Sequence, residues 1–234
     1  MLKNGCVRID ELFERAPADA LRGQVAGYAG YRQRGVAPAI HRGLPSPFLT
    51  LIFTLDEPLT MAAHVDPRQA PRTYGTLLGG LHTTPALIRH DGAQSGIQVA
   101  LRPLGARALL GLPAGSLASI DVPAEAVLGR AGDRIQERIQ AEKTWPSRFA
   151  ILNAELGALL RDAPAIAPEV AQAWRMLLRS GGTVPVADLA AETGCPGGLA
   201  GVAAAYGYYD QAHLAREFRN VQAAAAGAGS ESLT

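Results

Sequence analysis

Between Pro47 and Pro103 the apolar residues fall in short runs, FLTLIFTL, LTMAAH, GTLLGGLH, PALIRH and GIQVALRP, separated by Pro, Gly and Asp turns. Runs of that length and punctuation predict strands, and several at this spacing favour a sandwich or a small barrel over a parallel sheet with crossover helices. After Pro103 the period changes. LGARALLGL predicts a short helix, and residues 131–143 set Ile135 and Ile139 one turn apart with Arg134, Glu137 and Arg138 facing outward. Pro146 fits the first turn of a stronger helix that carries Phe149, Leu152, Leu156, Leu159 and Leu160 at steps of three and four. Such a stripe is first a core face, with a helix-mediated dimer contact as the alternative.

The proline-interrupted segment DAPAIAP, residues 162–168, is the best domain boundary in the chain. It divides a β-rich amino-terminal domain, 1–164, from an all-α carboxy-terminal domain, 165–234, so the expected class is α+β in two domains. Beyond the boundary lie three short helix patterns, 169–179, 186–193 and 199–206, followed by GYYDQAHLAREFRN, residues 207–220. The end, VQAAAAGAGSESLT, is low-complexity alanine, glycine and serine.

Composition and charge change this picture little. The chain has 234 residues, 48% hydrophobic and 18% charged, an ordinary globular balance with room for two domains. Its net charge of +1 announces neither a nucleic-acid binder nor a membrane-surface protein. The distribution is uneven: residues 1–164 hold 18 basic against 15 acidic side chains, a net +3, whereas 165–234 hold 4 against 6, a net −2. For a DNA-binding half that sign is unfavourable. Cys6 and Cys195 stand far apart with no CxxC spacing, which points to neither a zinc site nor a disulfide framework. The start, MLKNGCVRID, lacks a signal-peptide core, and FLTLIFTL is far short of a bilayer span. The expected location is therefore the cytoplasm.

The most informative stretch is LAGVAAAYGYYDQAHLAREFRN, read as helix, turn, helix. Val202 and small Ala203 suit a crossing helix, and Gly207 can take the left-handed turn. Asp210 can cap the next helix by accepting from the N–H groups near Ala212 and His213. Leu214 and Phe218, one turn apart, pack inward with at least one of Tyr206, Tyr208 and Tyr209. Gln211, Ala212, Ala215, Arg216 and Arg219 remain on the opposite side, where a recognition helix meets the major groove. Gln can pair bidentately with adenine, Arg with guanine, and a further Arg can neutralise phosphate. From spacing alone an ordinary amphipathic helix fits equally well.

GYYDQAHLAREF resembles the carboxy-terminal signature of AraC/XylS-type transcriptional regulators, a Gly-aromatic pair before an Asp-Gln-x-His-hydrophobic-x-Arg-x-Phe helix. AWRMLLRSGGTVPVADLAAETG resembles the first helix of that family's DNA-binding domain and the scaffold helix of its first helix-turn-helix unit. HRGLPSPFLTLIFTLDEPL through LRPLGARALLGLPA resembles the cupin-like sensory domain that some members carry in front. The resemblance implies a DNA-binding regulator, with operator DNA and a small-molecule effector as partners, a homodimeric assembly and no enzymatic activity. On the matching positions it implies Gln211 and Arg216 for base edges, with Ala212 and Ala215 beside them, and Arg219 for the backbone. Ala203, Gly207, Tyr208, Asp210, His213, Leu214 and Phe218 form the scaffold.

The chain departs from the family at the junction of its two units and after Arg219, where VQAAAAGAGSESLT does not resemble the family's closing helix. Ala190 and Gly194 repeat the Ala-x-x-x-Gly pair of Ala203 and Gly207, but only Cys195-Pro-Gly-Gly198 separates the two units. At about 1.5 Å per residue, four residues supply neither a recognition helix nor a spanning linker helix. A degenerate member, acting as a ligand-binding or dimerising module, is therefore the alternative reading.

His41, His64, His82 and His90 all fall in the β region, but no HxH or HxxxE spacing marks a metal site, and no cofactor is expected. His41 and His82 read as turn or pocket-wall residues. No Gly-rich phosphate loop, nucleophile elbow or paired-carboxylate motif is present. A cupin-like domain implies an internal small-molecule pocket, expected to be lined by Leu51, Phe53, Leu78 and Val99.

Overall fold

Ten strands form two antiparallel sheets in the computed structural model, which describes residues 8–161, 163, 168–180 and 184–194. In chain order the strands are β1 (Ile9–Arg15), β2 (Val25–Arg34), β3 (Ala39–Gly43), β4 (Leu49–Thr54), β5 (Leu59–Ala63), β6 (Arg72–Tyr74), β7 (Thr76–Gly79), β8 (Ala86–His90), β9 (Ala93–Leu101) and β10 (Asp121–Val122). The larger sheet runs β1-β2-β9-β4-β7-β10 and the smaller β3-β8-β5-β6. The helices are α1 (Pro103–Leu110), α2 (Glu125–Leu128), α3 (Arg130–Ala141), α4 (Trp145–Arg161), α5 (Pro168–Arg179) and α6 (Val186–Thr193). The class is α+β.

Register decides which side chains share a face, because alternate residues of a strand point to opposite sides. Tyr28, Val99, Leu51 and Leu78 align across four strands of the larger sheet, and Gly30, Ile97 and Phe53 form the next row on the same side. That side is buried under helices. The Tyr28 ring stacks on Phe149 of α4 with centroids 5.9 Å apart. A Cβ at Gly30 would lie 2.5 Å from the Trp145 ring, so this glycine is what lets the start of α4 sit directly on β2. The other side of the sheet meets the smaller sheet: Ile52 and Leu77 pack against Leu59, Met61, Tyr74 and Ala86. The layers therefore run helices, six-stranded sheet, four-stranded sheet.

Helices α3 and α4 are joined by both apolar and ionic contacts. Ile135 and Ile139 are fully buried, as their one-turn spacing required. Glu155 of α4, itself buried, accepts from Arg134 Nε at 2.9 Å and Arg138 Nη1 at 2.5 Å. The buried guanidinium of Arg148 donates to the carbonyl of Glu142 at 2.6 Å and to that of Ile139 at 3.2 Å, the latter also accepting from the Glu142 N–H at the end of α3. Trp174 of α5 and Leu189 of α6 join the same hydrophobic core as α4.

The helices expected at 104–112, 131–143, from Pro146 onward, 169–179 and 186–193 appear as α1, α3, α4, α5 and α6. Phe149, Leu152 and Leu156 lie in the core, and Leu159 and Leu160 of the same stripe pack against it partly buried. The boundary segment 162–168 lies almost entirely outside the described residues. So do the expected helix 199–206, the Cys195–Gly198 junction, the stretch 207–220 and the tail beyond it.

Candidate ligand pocket

Where the two sheets part, beside the turn from β4 to β5 and the turn from β8 to β9, lies a cavity of about 470 Å³. Tyr31, Thr54, Gln94 and Ser95 come to it from the larger sheet, and Thr60, Thr73 and His90 from the smaller. Tyr31 reaches it because β9 has no side chain in the way: a Cβ at Gly96 would lie 2.6 Å from the Tyr31 hydroxyl and 2.9 Å from the Phe53 carbonyl oxygen. Burial pushes the Tyr31 phenol up to about 12, so it stays protonated and can donate as well as accept.

Charge is concentrated at the rim. The Ser95 hydroxyl donates to Asp56 at 2.7 Å, and Arg34 Nη2 donates to the same oxygen at 2.8 Å. Burial pushes the Asp56 carboxyl up, but Ser95, Arg34 and the charge of Arg32 outweigh it, and the group is held below the ordinary carboxylate range. The His41 and His90 rings lie 5.8 Å apart on neighbouring strands. Burial, and then the charge of His90, hold His41 below the usual imidazole value. A polar-walled cavity of this volume with hydroxyl, amide and imidazole groups converging on it can hold a small polar molecule.

A second polar group lies deeper. His64 Nδ1 meets Asp121 Oδ2 at 2.7 Å, with side chains 0% and 1% exposed. With Nδ1 donating, Nε2 is left to accept from the Tyr74 hydroxyl at 3.4 Å. His82 Nε2 stands 3.2 Å from Asp121 Oδ1, an ion-pair approach without hydrogen-bond alignment. Burial pushes Asp121 up, yet His82 and His64 together hold it below the ordinary carboxylate range. Gln69 clasps the Asp121 backbone from both sides, donating to its carbonyl at 2.7 Å and accepting from its N–H at 3.0 Å. An Asp–His pair is a familiar proton-transfer device. Here His64 and Asp121 are sealed from solvent, and the group instead ties β10 of one sheet to β6 and the end of β5 of the other.

The expected wall of the pocket is corrected by these positions. Leu51, Phe53, Leu78 and Val99 are fully buried in the core on the helix side of the larger sheet, because the helices cover the face onto which their register turns them. The cavity lies on other residues, largely polar. Of the histidines, His90 lines it, while His82 lies against Asp121. The Asp121–His64 pair spans 57 residues, and nothing in the local sequence of either residue marks it. Among the described residues no group of three His, Cys, Asp or Glu side chains is disposed to hold a metal ion, and no helix is long and apolar enough to cross a membrane. Every DNA-contact and scaffold residue expected from the sequence, from Ala203 to Arg219, lies outside the described residues.

Residues 13–123 match the family described as "Domain of unknown function (DUF6597)". Among solved structures, the crystal structure of the AraC-like transcriptional activator CuxR is similar over 94% of this chain and 96% of that chain, at 14% identity and a TM-score of 0.36. A likeness of that degree transfers neither fold nor function. No curated protein matches the chain.

Proposed function

We propose that this chain is a DNA-binding transcriptional regulator of the AraC/XylS type, with a cupin-like sensory domain at 1–164 and a shortened helix-turn-helix domain at 165–234. The observation that carries the reading is the run GYYDQAHLAREF, residues 207–218, which matches the family's signature over a dozen positions. Gln211 and Arg216 read base edges, Arg219 holds the phosphate backbone, and Asp210 caps the helix that presents them. The inter-sheet cavity supplies a place for the effector. Regulation then requires that the effector bind the DNA-competent and DNA-incompetent states with different affinity, since equal affinity shifts nothing.

Fluorescence anisotropy against the chain's own upstream DNA and against random DNA of equal length, at two salt concentrations, tests the reading. Arg216→Ala should relax sequence preference, and Arg219→Ala should weaken binding to every sequence and flatten the salt dependence. Equal binding of the two DNAs by the unaltered chain would overturn specific reading.

The four-residue junction 195–198 and the net −2 of residues 165–234 favour a second reading, a ligand-binding or dimerising module that has lost DNA binding. Under that reading neither DNA binds at the lower salt concentration, and the cavity still takes a ligand.

A further inference from the structure

Strand β1 is the outermost strand of the larger sheet, paired with β2 along its whole length and, among the described residues, with nothing on its other side. A free edge is a row of backbone donors and acceptors ready to take another strand, and proteins usually blunt it. Here it is flanked by apolar surface. Leu12 is 66% and Phe13 41% exposed, two of the four large hydrophobic residues exposed among the described residues. The sheet is also hollowed on both sides of this edge. On the helix side, a groove of about 300 Å³ runs between Phe13 and Trp145, Pro146, Phe149 and Ala150. On the far side, a groove of about 600 Å³ lies over Gly27, Ala29, Gln98 and Ala100 beside Glu14 and Arg15. A strand added to β1 would send alternate side chains into each groove, the geometry of recognition by strand addition.

The charges of β1 select the occupant. Two copies of an antiparallel strand related by a twofold axis must oppose residues of the same face, so the axis passes through one residue. Centring it on Leu12 sets Asp10 against Glu14 twice. Centring it on Asp10, Glu11, Glu14 or Arg15 sets that charge against itself, and centring it on Ile9 overlaps the two β1 strands by one residue only. Centring it on Phe13 opposes no like charges: Phe13 meets Phe13, and Glu11 meets Arg15 on either side of it, while Leu12 faces Glu14 on the far face. Phe13 already contacts Trp145, with ring centroids 5.3 Å apart, so the two aromatic pairs would meet over the axis on the helix side.

We infer that β1 is the dimerisation edge, pairing antiparallel with β1 of a second copy about Phe13 and joining the two six-stranded sheets into one. The inference rests on the strand edge and its charges, and is independent of whether the chain binds DNA.

Sedimentation velocity of the full-length chain over a range of concentrations gives the test. The chain should dimerise. Glu11→Arg and Arg15→Glu should each raise the dimer dissociation constant about tenfold or more, since each turns two attractive pairs into repulsive ones. An equimolar mixture of the two variants should dimerise again, because each then supplies the charge the other needs; this recovery also shows that both variants are folded. In a chain with Cys6 and Cys195 replaced by serine, Phe13→Cys should form a disulfide with its own copy, because opposed Cα atoms about 4.5–5.5 Å apart lie within disulfide range. Glu11→Cys should not. A monomeric chain, a dimer indifferent to both charge reversals, no recovery on mixing, or self-crosslinking at Glu11→Cys in place of Phe13→Cys overturns the inference.

Discussion

Gly96→Ala probes the seam between the two sheets, on which the cavity depends. The added Cβ would lie 2.6 Å from the Tyr31 hydroxyl oxygen, 2.9 Å from Tyr31 Cζ and 2.9 Å from the Phe53 carbonyl oxygen. Tyr31 can give way by turning its ring. The carbonyl cannot, because Phe53 and Thr54 are paired with Ile97 and Gly96 in the β4–β9 ladder. Overpacking of this kind costs about 1–3 kcal/mol. The stiffer unfolded chain of an alanine variant offsets about 0.4–1 kcal/mol of that. The expected net loss is about 1–2 kcal/mol, measured as a lower urea midpoint at unchanged slope, or a fall in Tm of about 2–4 °C per kcal/mol. Tyr31→Phe removes the nearer contact and keeps the ring. The double variant should therefore lose less stability than the two single variants together, with a coupling of about 0.5–3 kcal/mol. A Gly96→Ala chain as stable as the parent, or strict additivity with Tyr31→Phe, would refute the close approach.

Three further outcomes follow from the packing. Asp121 has a folded pKa below its ordinary value, so its contribution to stability is present above about pH 4 and is lost as the pH falls through the lower folded value. Asp121→Asn should accordingly flatten the acid limb of urea midpoint against pH, and Asp121→Ala, which leaves the buried His64 Nδ1–H without its acceptor, should cost about 1–3 kcal/mol at neutral pH. Leu152, fully buried between α4 and the sheet, should cost about 2–5 kcal/mol as Leu152→Ala in urea unfolding, and a loss under 1 kcal/mol would place it outside the core. Arg148→Met removes the guanidinium from the Glu142 carbonyl and from the Ile139 carbonyl, which keeps only the Glu142 N–H, so amide exchange should speed up in residues 136–142 and leave the β9 amides unchanged.

The helices were legible because their periodicity is local. Ile135 and Ile139, and Phe149, Leu152 and Leu156, repeat at helical steps on otherwise polar surfaces, and all five are buried. Five of the strand runs were legible for the same reason. Strands β1, β2, β3, β6 and β10 lie outside those runs: IDELFER is mostly charged, VAGYAGYRQR mixes glycine with arginine, AIHRG is exposed up to its last residue, and β6 and β10 are only three and two residues long. Edge position and the approach of Trp145 explain those compositions, and neither is a property of the segment itself. The cavity lies on the face of the larger sheet opposite the one its apolar residues line. Leu51, Phe53, Leu78 and Val99 have the apolar character expected of a pocket wall, yet which side of a sheet the helices cover is settled only when the chain has folded.

By itself, then, the sequence determined what repeats along the chain: the amphipathic faces of α3 and α4 and the strand-rich stretch from Pro47 to Pro103. Each of these rests on neighbours a few residues apart. Only the tertiary structure decided what depends on pairing across distance. It brought Asp121 onto His64 over 57 residues, left Gly96 bare for Tyr31, and set Phe13 on a strand whose outer side pairs with no other described residue. Sheet register has a period of two and no memory of sequence separation, so a single polar residue among apolar ones gives no sign of its partner until the strands are in place.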